Sequence, residues 1–206
     1  MGIEFVARRQ TTMTNFFMKK VILTVAIACA VLSAQAQKVS FGVKSGLNIS
    51  RVTKWDGANS RASVHAGGFV NIGLVKNLSL QPELLYSGQG FKYKPLNAEA
   101  VTRLHYINVP VMVQYRFIPE FFVEAGPQLG FLVAARQKVG DVLVDIKDSA
   151  KGVDAGMGFG AGYQFPMGIG VSARYMFGLT RVFEDTYESN KNAVAQVGLF
   201  YTIKTK

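Results

Sequence analysis

From residue 39 onward the chain repeats one pattern: large apolar residues at every second position, with small or polar residues between. In 121–135, FFVEAGPQLGFLVAA, Phe121, Val123, Leu129 and Phe131 alternate with Glu124, Gly126, Gln128 and Gly130. A period of two sets alternate side chains on opposite faces of a strand. The same alternation runs through 39–49, 64–74, 78–90, 104–117, 153–165, 169–179 and 193–203, eight segments in all. No stretch of useful length keeps a helical period, so an all-β chain is predicted.

The charges decide which environments the two faces meet. Within these segments every ionisable Lys, Arg, Asp and Glu falls on the small, polar face: Lys44, Glu83, Arg116, Glu124, Asp154 and Arg174. A soluble sandwich would load its outer face with Lys and Glu. Here the polar face is mostly Gly, Ser, Gln and Asn, which suits a narrow interior, and the apolar face carries Leu, Val, Phe and Tyr, which suits lipid. Connections alternate as well: 75–77, 118–120 and 166–168 are tight, whereas 50–63, 91–103, 136–152 and 180–192 are long and polar. Short periplasmic turns and long outside loops mark outer-membrane barrels. The prediction is an eight-stranded antiparallel transmembrane up-and-down β-barrel with both termini in the periplasm. Tyr115, Phe117, Phe121, Tyr163, Phe165 and Tyr201 should form a periplasmic aromatic belt, with Tyr86, Phe131, Tyr175 and Phe177 at the outer one.

The N-terminal segment agrees with export. Lys19-Lys20, the apolar run from Val21 to Leu32 and Ala34-Gln35-Ala36 read as a signal peptide cleaved after Ala36, with Met18 as the natural start. That divides the chain into 1–36 and a barrel domain over 37–206. The single cysteine, Cys29, lies in the removed part, so no disulfide, thiolate nucleophile or Cys-based metal site is expected. The chain is basic, +10 overall, and stays basic without Arg8, Arg9, Lys19, Lys20 and Glu4. Its basic residues are scattered and the protein is exported, so nucleic acid is not an expected partner; anionic lipid and lipopolysaccharide are.

Pro82, Pro110 and Pro127 fall inside strands, where a closed barrel has no edge to accommodate a missing donor. β-Bulges there, or water on the lumen side at Pro110, would relieve this. In the lumen, the 118–120 turn predicts Arg116 diagonal to Glu124 and within salt-bridge reach, and the 166–168 turn predicts Arg174 opposite Gly160. Lys44, Glu83 and Asp154 would complete a structural charge network. Eight strands leave room for side chains rather than a channel.

LSLQPELLYSGQG (78–90), LHYINVPVMVQYRF (104–117), FFVEAGPQLGFLVAA (121–135), GFGAGYQF (158–165) and VGLFYTIK (197–204) together resemble the PorT-like outer-membrane β-barrel proteins of Bacteroidetes. The resemblance covers nearly all of the mature chain and includes the strand prolines. It implies an eight-stranded outer-membrane barrel, in a family where one member is linked to protein secretion.

No catalytic set is expected. The mature chain has only His65 and His105: no acid is placed on the outer face to orient His105, His65 reads as a polar lumen filler, and Asp141, Asp145 and Asp148 lack calcium-loop spacing. Neither cofactor nor metal is predicted. The expected function is a structural or surface-interaction role through the outside loops, without an open pore. The alternatives are a transport or secretion accessory barrel and a soluble lipocalin-like carrier. Expected partners are outer-membrane lipid and lipopolysaccharide, the barrel-assembly machinery during insertion, and a protein at the outside loops or periplasmic turns.

Overall fold

A computed structural model describes residues 39–53, 57–93, 100–140, 142–182 and 190–203; the predicted signal segment lies outside them. Its strands are β1 (Val39–Val52), β2 (Asn59–Val75), β3 (Leu78–Tyr93), β4 (Ala100–Arg116), β5 (Phe121–Val139), β6 (Val142–Asp145), β7 (Val153–Gln164), β8 (Ile169–Gly178) and β9 (Asn192–Ile203). Each of the eight alternating segments supplies one long strand. They pair antiparallel in the order β1-β2-β3-β4-β5-β7-β8-β9, and β9 returns to β1, so the sheet closes into an eight-stranded barrel. Closure leaves the ring without a free edge, as lipid requires.

The alternation separates the faces as predicted. Leu47, Leu84, Leu129, Phe159, Val197 and Leu199 are half or more exposed on the outer wall, while Asn48, Gln81, Glu83, Gln114 and Glu124 are buried inside. A polar interior inside an apolar wall is the inverse of a soluble carrier barrel. Below the apolar band, Tyr115 packs edge-on to Phe117 at 5.0 Å and Tyr163 to Phe165 at 5.1 Å.

Strands β1 to β5 are longer than their patterns suggested. β2 and β4 have 17 residues and β5 has 19, where about 9 to 11 suffice to cross a membrane. Because the tight turns fix one end, the surplus all lies at the other. The segment 136–152, expected as a polar loop, instead continues β5, adds β6 as a ninth short strand paired to it, and forms a single 3-10 turn over Lys147–Ser149. Inside this extension Val52, Phe91, Leu104, Tyr106, Leu132 and Val182 make an apolar core.

Of the two ways offered to accommodate the prolines, bulges are not used at any of them. Register is unchanged across each: Phe69↔Glu83 and Ile72↔Leu80 flank Pro82, Leu85↔Asn108 and Pro82↔Val111 flank Pro110, and Pro110↔Gln128 and Val113↔Ala125 flank Pro127. Each ladder simply omits the pairs at the proline, which lacks the N–H for one neighbour but still pairs with the other. A bulge does occur higher up, where His105↔Ala134 is followed by Tyr106↔Leu132 and Val133 is left over. It reverses the parity beyond, turning Ala135 inward, fully buried, and Arg136 out.

Candidate functional site

The lumen is built in layers, each set by which inward positions share a level. At mid-height Glu83 of β3 is the centre of a four-residue charge node. Arg174 of β8 donates Nη2 to Glu83 Oε1 at 2.7 Å and Nη1 to Oε2 at 2.9 Å, a bidentate pair. Its Nε donates to Glu124 Oε1 of β5 at 2.7 Å, and Lys44 Nζ of β1 reaches Glu83 Oε1 at 2.9 Å. Gln81 also donates to Glu83 Oε1, at 2.8 Å, and Gln114 donates to Glu124 Oε2 at 2.9 Å. Two cations face two anions, all buried, so the node is neutral. In the ring order β3 and β8 stand four strands apart, opposite walls of the barrel, and Arg174 therefore spans the lumen. It has the room because its cross-strand partner is Gly160, where a Cβ would lie 3.1 Å from Arg174 Cβ.

The structure thus brings together Lys44, Glu83, Glu124 and Arg174 but not Arg116 or Asp154. Arg116 lies opposite Phe122, and Gln114, not Arg116, is the residue opposite Glu124. Arg116 donates to Pro119 O at 2.8 Å and Gln164 Oε1 at 2.9 Å, with its guanidinium 5.0 Å from the Phe122 ring centre. Glu124, two residues on from Phe122, is diagonal to Arg116 as predicted, but the bridge does not form: Glu124 pairs with Arg174 across the lumen, and Arg116 turns to Pro119 and Gln164. Asp154, nearer the outer end, accepts from Thr180 Oγ1 at 2.6 Å and Asn192 Nδ2 at 2.8 Å.

Two further layers close the lumen. Above the node, Asn48 Oδ1 accepts from Gln196 at 3.1 Å and lies 2.8 Å from His65 Nδ1, while its Nδ2 donates to Ser87 Oγ and Gly88 O. Below it, Phe69, Phe122 and Phe200 meet edge to face, with Phe200 6.2 Å from Phe69 and 5.9 Å from Phe122. Each ring lies over the glycine opposite it in register: Phe69 on Gly42, Phe122 on Gly162, Phe200 on Gly170. A Cβ at any of these glycines would come within 2.3 Å of the ring. Each pair sets an inward Phe against an inward Gly, and the closed register brings the three to one level. Gly162→Val should therefore cost about 1–3 kcal/mol through displacement of Phe122, as measured by urea unfolding in detergent. Lumen voids of about 30 and 10 Å³ remain, room for a water or two.

His105 lies outside the lumen. Its Nδ1 is 2.5 Å from the Tyr86 hydroxyl and the rings stack at 5.9 Å, giving an interfacial pair rather than an acid-oriented base.

A neutral, packed interior within a closed apolar wall is a membrane barrel, and the sequence comparison agrees. Residues 34–184 match the family model described as the outer membrane protein beta-barrel domain. The chain belongs to that family. It resides in the outer membrane. Among solved structures it is similar to Neisserial surface protein A (TM-score 0.54, 12% identity, 80% of this chain and 99% of that one). It is also similar to Ail, the attachment invasion locus protein of Yersinia pestis (0.47, 14%, 81% and 99%), and to the N-terminal β-barrel domain of Pseudomonas aeruginosa OprF (0.40, 14%, 79% and 97%). At these identities the likeness is one of fold. None of the curated proteins compared matches the sequence.

Proposed function

We propose that this outer-membrane barrel serves a structural or surface-interaction role through its outside loops and conducts nothing. The observation that supports this reading most is the filled lumen: a neutral node, a phenylalanine layer and an apolar outer core stacked on one axis. A non-catalytic role, export through a signal peptide and insertion by the barrel-assembly machinery go with it. So does membership of the PorT-like branch, on the motifs quoted above. Neisserial surface protein A, by its name a surface protein, fits the same picture.

The orientation and the closed lumen are tested together. A short epitope inserted after Gly140, in the β5–β6 turn, should label on intact cells; one between Lys76 and Asn77 should label only after permeabilisation. Purified protein in planar bilayers should show no discrete conductance. Reversed labelling removes the surface role, and stable channel openings replace it with transport.

A further inference from the structure

The outer wall of β3, β4 and β5 changes chemistry row by row. Cross-strand partners define the rows, with strand neighbours in register: Tyr86, Ile107 and Phe131; then Gly88, His105 and Ala134; then Gly90, Arg103 and Arg136; then Lys92, Val101 and Lys138. Going outward the wall is apolar, then aromatic and amphipathic, then basic. No acidic residue occurs in these rows. Arg103 and Arg136 lie directly opposite each other, both exposed. Like charges at such a pair are destabilising unless something neutralises them. Arg61 lies close by, donating Nη1 to Gln89 O at 2.7 Å, and all three guanidinium groups are within electrostatic reach of His105. Among the described residues, the acid that faces the pair is Asp145, opposite Arg136 on β6, and its carboxylate accepts from Lys147 N at 2.9 Å.

The level of this basic row follows from strand geometry. From Tyr115 in the periplasmic belt to His105 in the outer one is ten residues of β4. At about 3.3 Å per residue that is roughly 33 Å of strand, and a tilt near 45° makes it about 23 Å of membrane. Outer-membrane barrels carry an apolar band of about 25 Å, so the Arg103–Arg136 row stands one step above its edge, where head-group phosphates lie.

We propose that Arg103 and Arg136, with Arg61 beside them, form a binding site for the phosphate of a phosphorylated glycolipid in the outer leaflet. Its acyl chains would lie on Ile107, Phe131 and Leu129. Two guanidinium forks facing one phosphate give paired, charge-assisted hydrogen bonds, which a lone lysine cannot reproduce. The level assignment rests on the loops-outward orientation proposed above, but binding in detergent does not, so the two fail separately.

The test uses mature protein purified from membranes and fluorescent lipid A in detergent micelles, in three forms: bis-phosphorylated, dephosphorylated, and bis-phosphorylated competed with inorganic phosphate. Wild type should prefer the phosphorylated lipid by about tenfold or more, and Arg103→Gln with Arg136→Gln should remove that preference. Lys76→Gln with Lys147→Gln should keep it. Heat-modified gel migration checks that each variant is folded; should the glutamine variant misfold, Arg103→Lys with Arg136→Lys, expected to weaken but not abolish the preference, supplies the comparison. Equal binding of dephosphorylated lipid, or an unchanged preference in a folded glutamine variant, overturns the proposal. Displacement by inorganic phosphate at concentrations equal to the lipid would mean a small-anion site instead of a lipid site, and overturns it as well.

Discussion

Arg174→Met is expected to cost about 3–5 kcal/mol in urea unfolding, because it leaves Glu83 and Glu124 with only Lys44 in a buried space. Methionine fills much of the guanidinium's volume, so the loss reports charge rather than a cavity. Arg174→Lys should recover part of it, since one ammonium cannot serve both carboxylates with Arg174's three donors. A double-mutant cycle between Arg174 and Glu124 should show coupling of about 0.5–3 kcal/mol, whereas Arg116 and Glu124, which make no contact, should be additive within about 0.5 kcal/mol. Strong coupling at Arg116 and none at Arg174 would mean that Glu124 pairs diagonally across its own hairpin and not across the lumen.

The second large effect belongs to the wall. Leu129 is half exposed on the outside, opposite Val109 and near the midpoint between the two aromatic belts. Leu129→Arg should destabilise the barrel by about 2–4 kcal/mol in lipid, since an arginine there has neither water nor a partner. Gln128→Ser, one residue away but facing inward, should cost far less. Vesicle-reconstituted unfolding separates the two. Equal costs would contradict the assignment of faces.

How legible this was in the sequence depended on the range of the interaction. The alternation is a local signal, and it placed Phe69, Leu85, Glu124 and Phe200 inside without help from tertiary contacts. Hairpin neighbours were legible too where the turn is tight, as for Gly160 and Arg174. Failures came where a local rule had more than one outcome. Proline can be tolerated by a bulge or by an open ladder, and the chain uses the second. Turn 118–120 sets Arg116 diagonal to Glu124 as expected, but a diagonal neighbour need not bond, and Glu124 takes its cation from across the lumen. The bulge at Val133 has no proline or glycine to announce it, so the outward turn of Arg136 could not be anticipated. Contacts across the lumen are harder still. Arg174 and Glu83 are 91 residues apart on opposite walls, and nothing near either names the other.

That separation bears on assembly. Lys44, Glu83 and Glu124 all belong to the first five strands, and Arg174 belongs to the next to last. A chain assembled only as far as β7 therefore holds two carboxylates against one ammonium, an excess negative charge that must stay wet. Strand β8 delivers the missing cation, and with it the interior can dry. The node's neutrality is thus reached only when the next-to-last strand arrives and at no earlier stage, which makes loss of water from the interior a chemical signal that the ring is nearly complete.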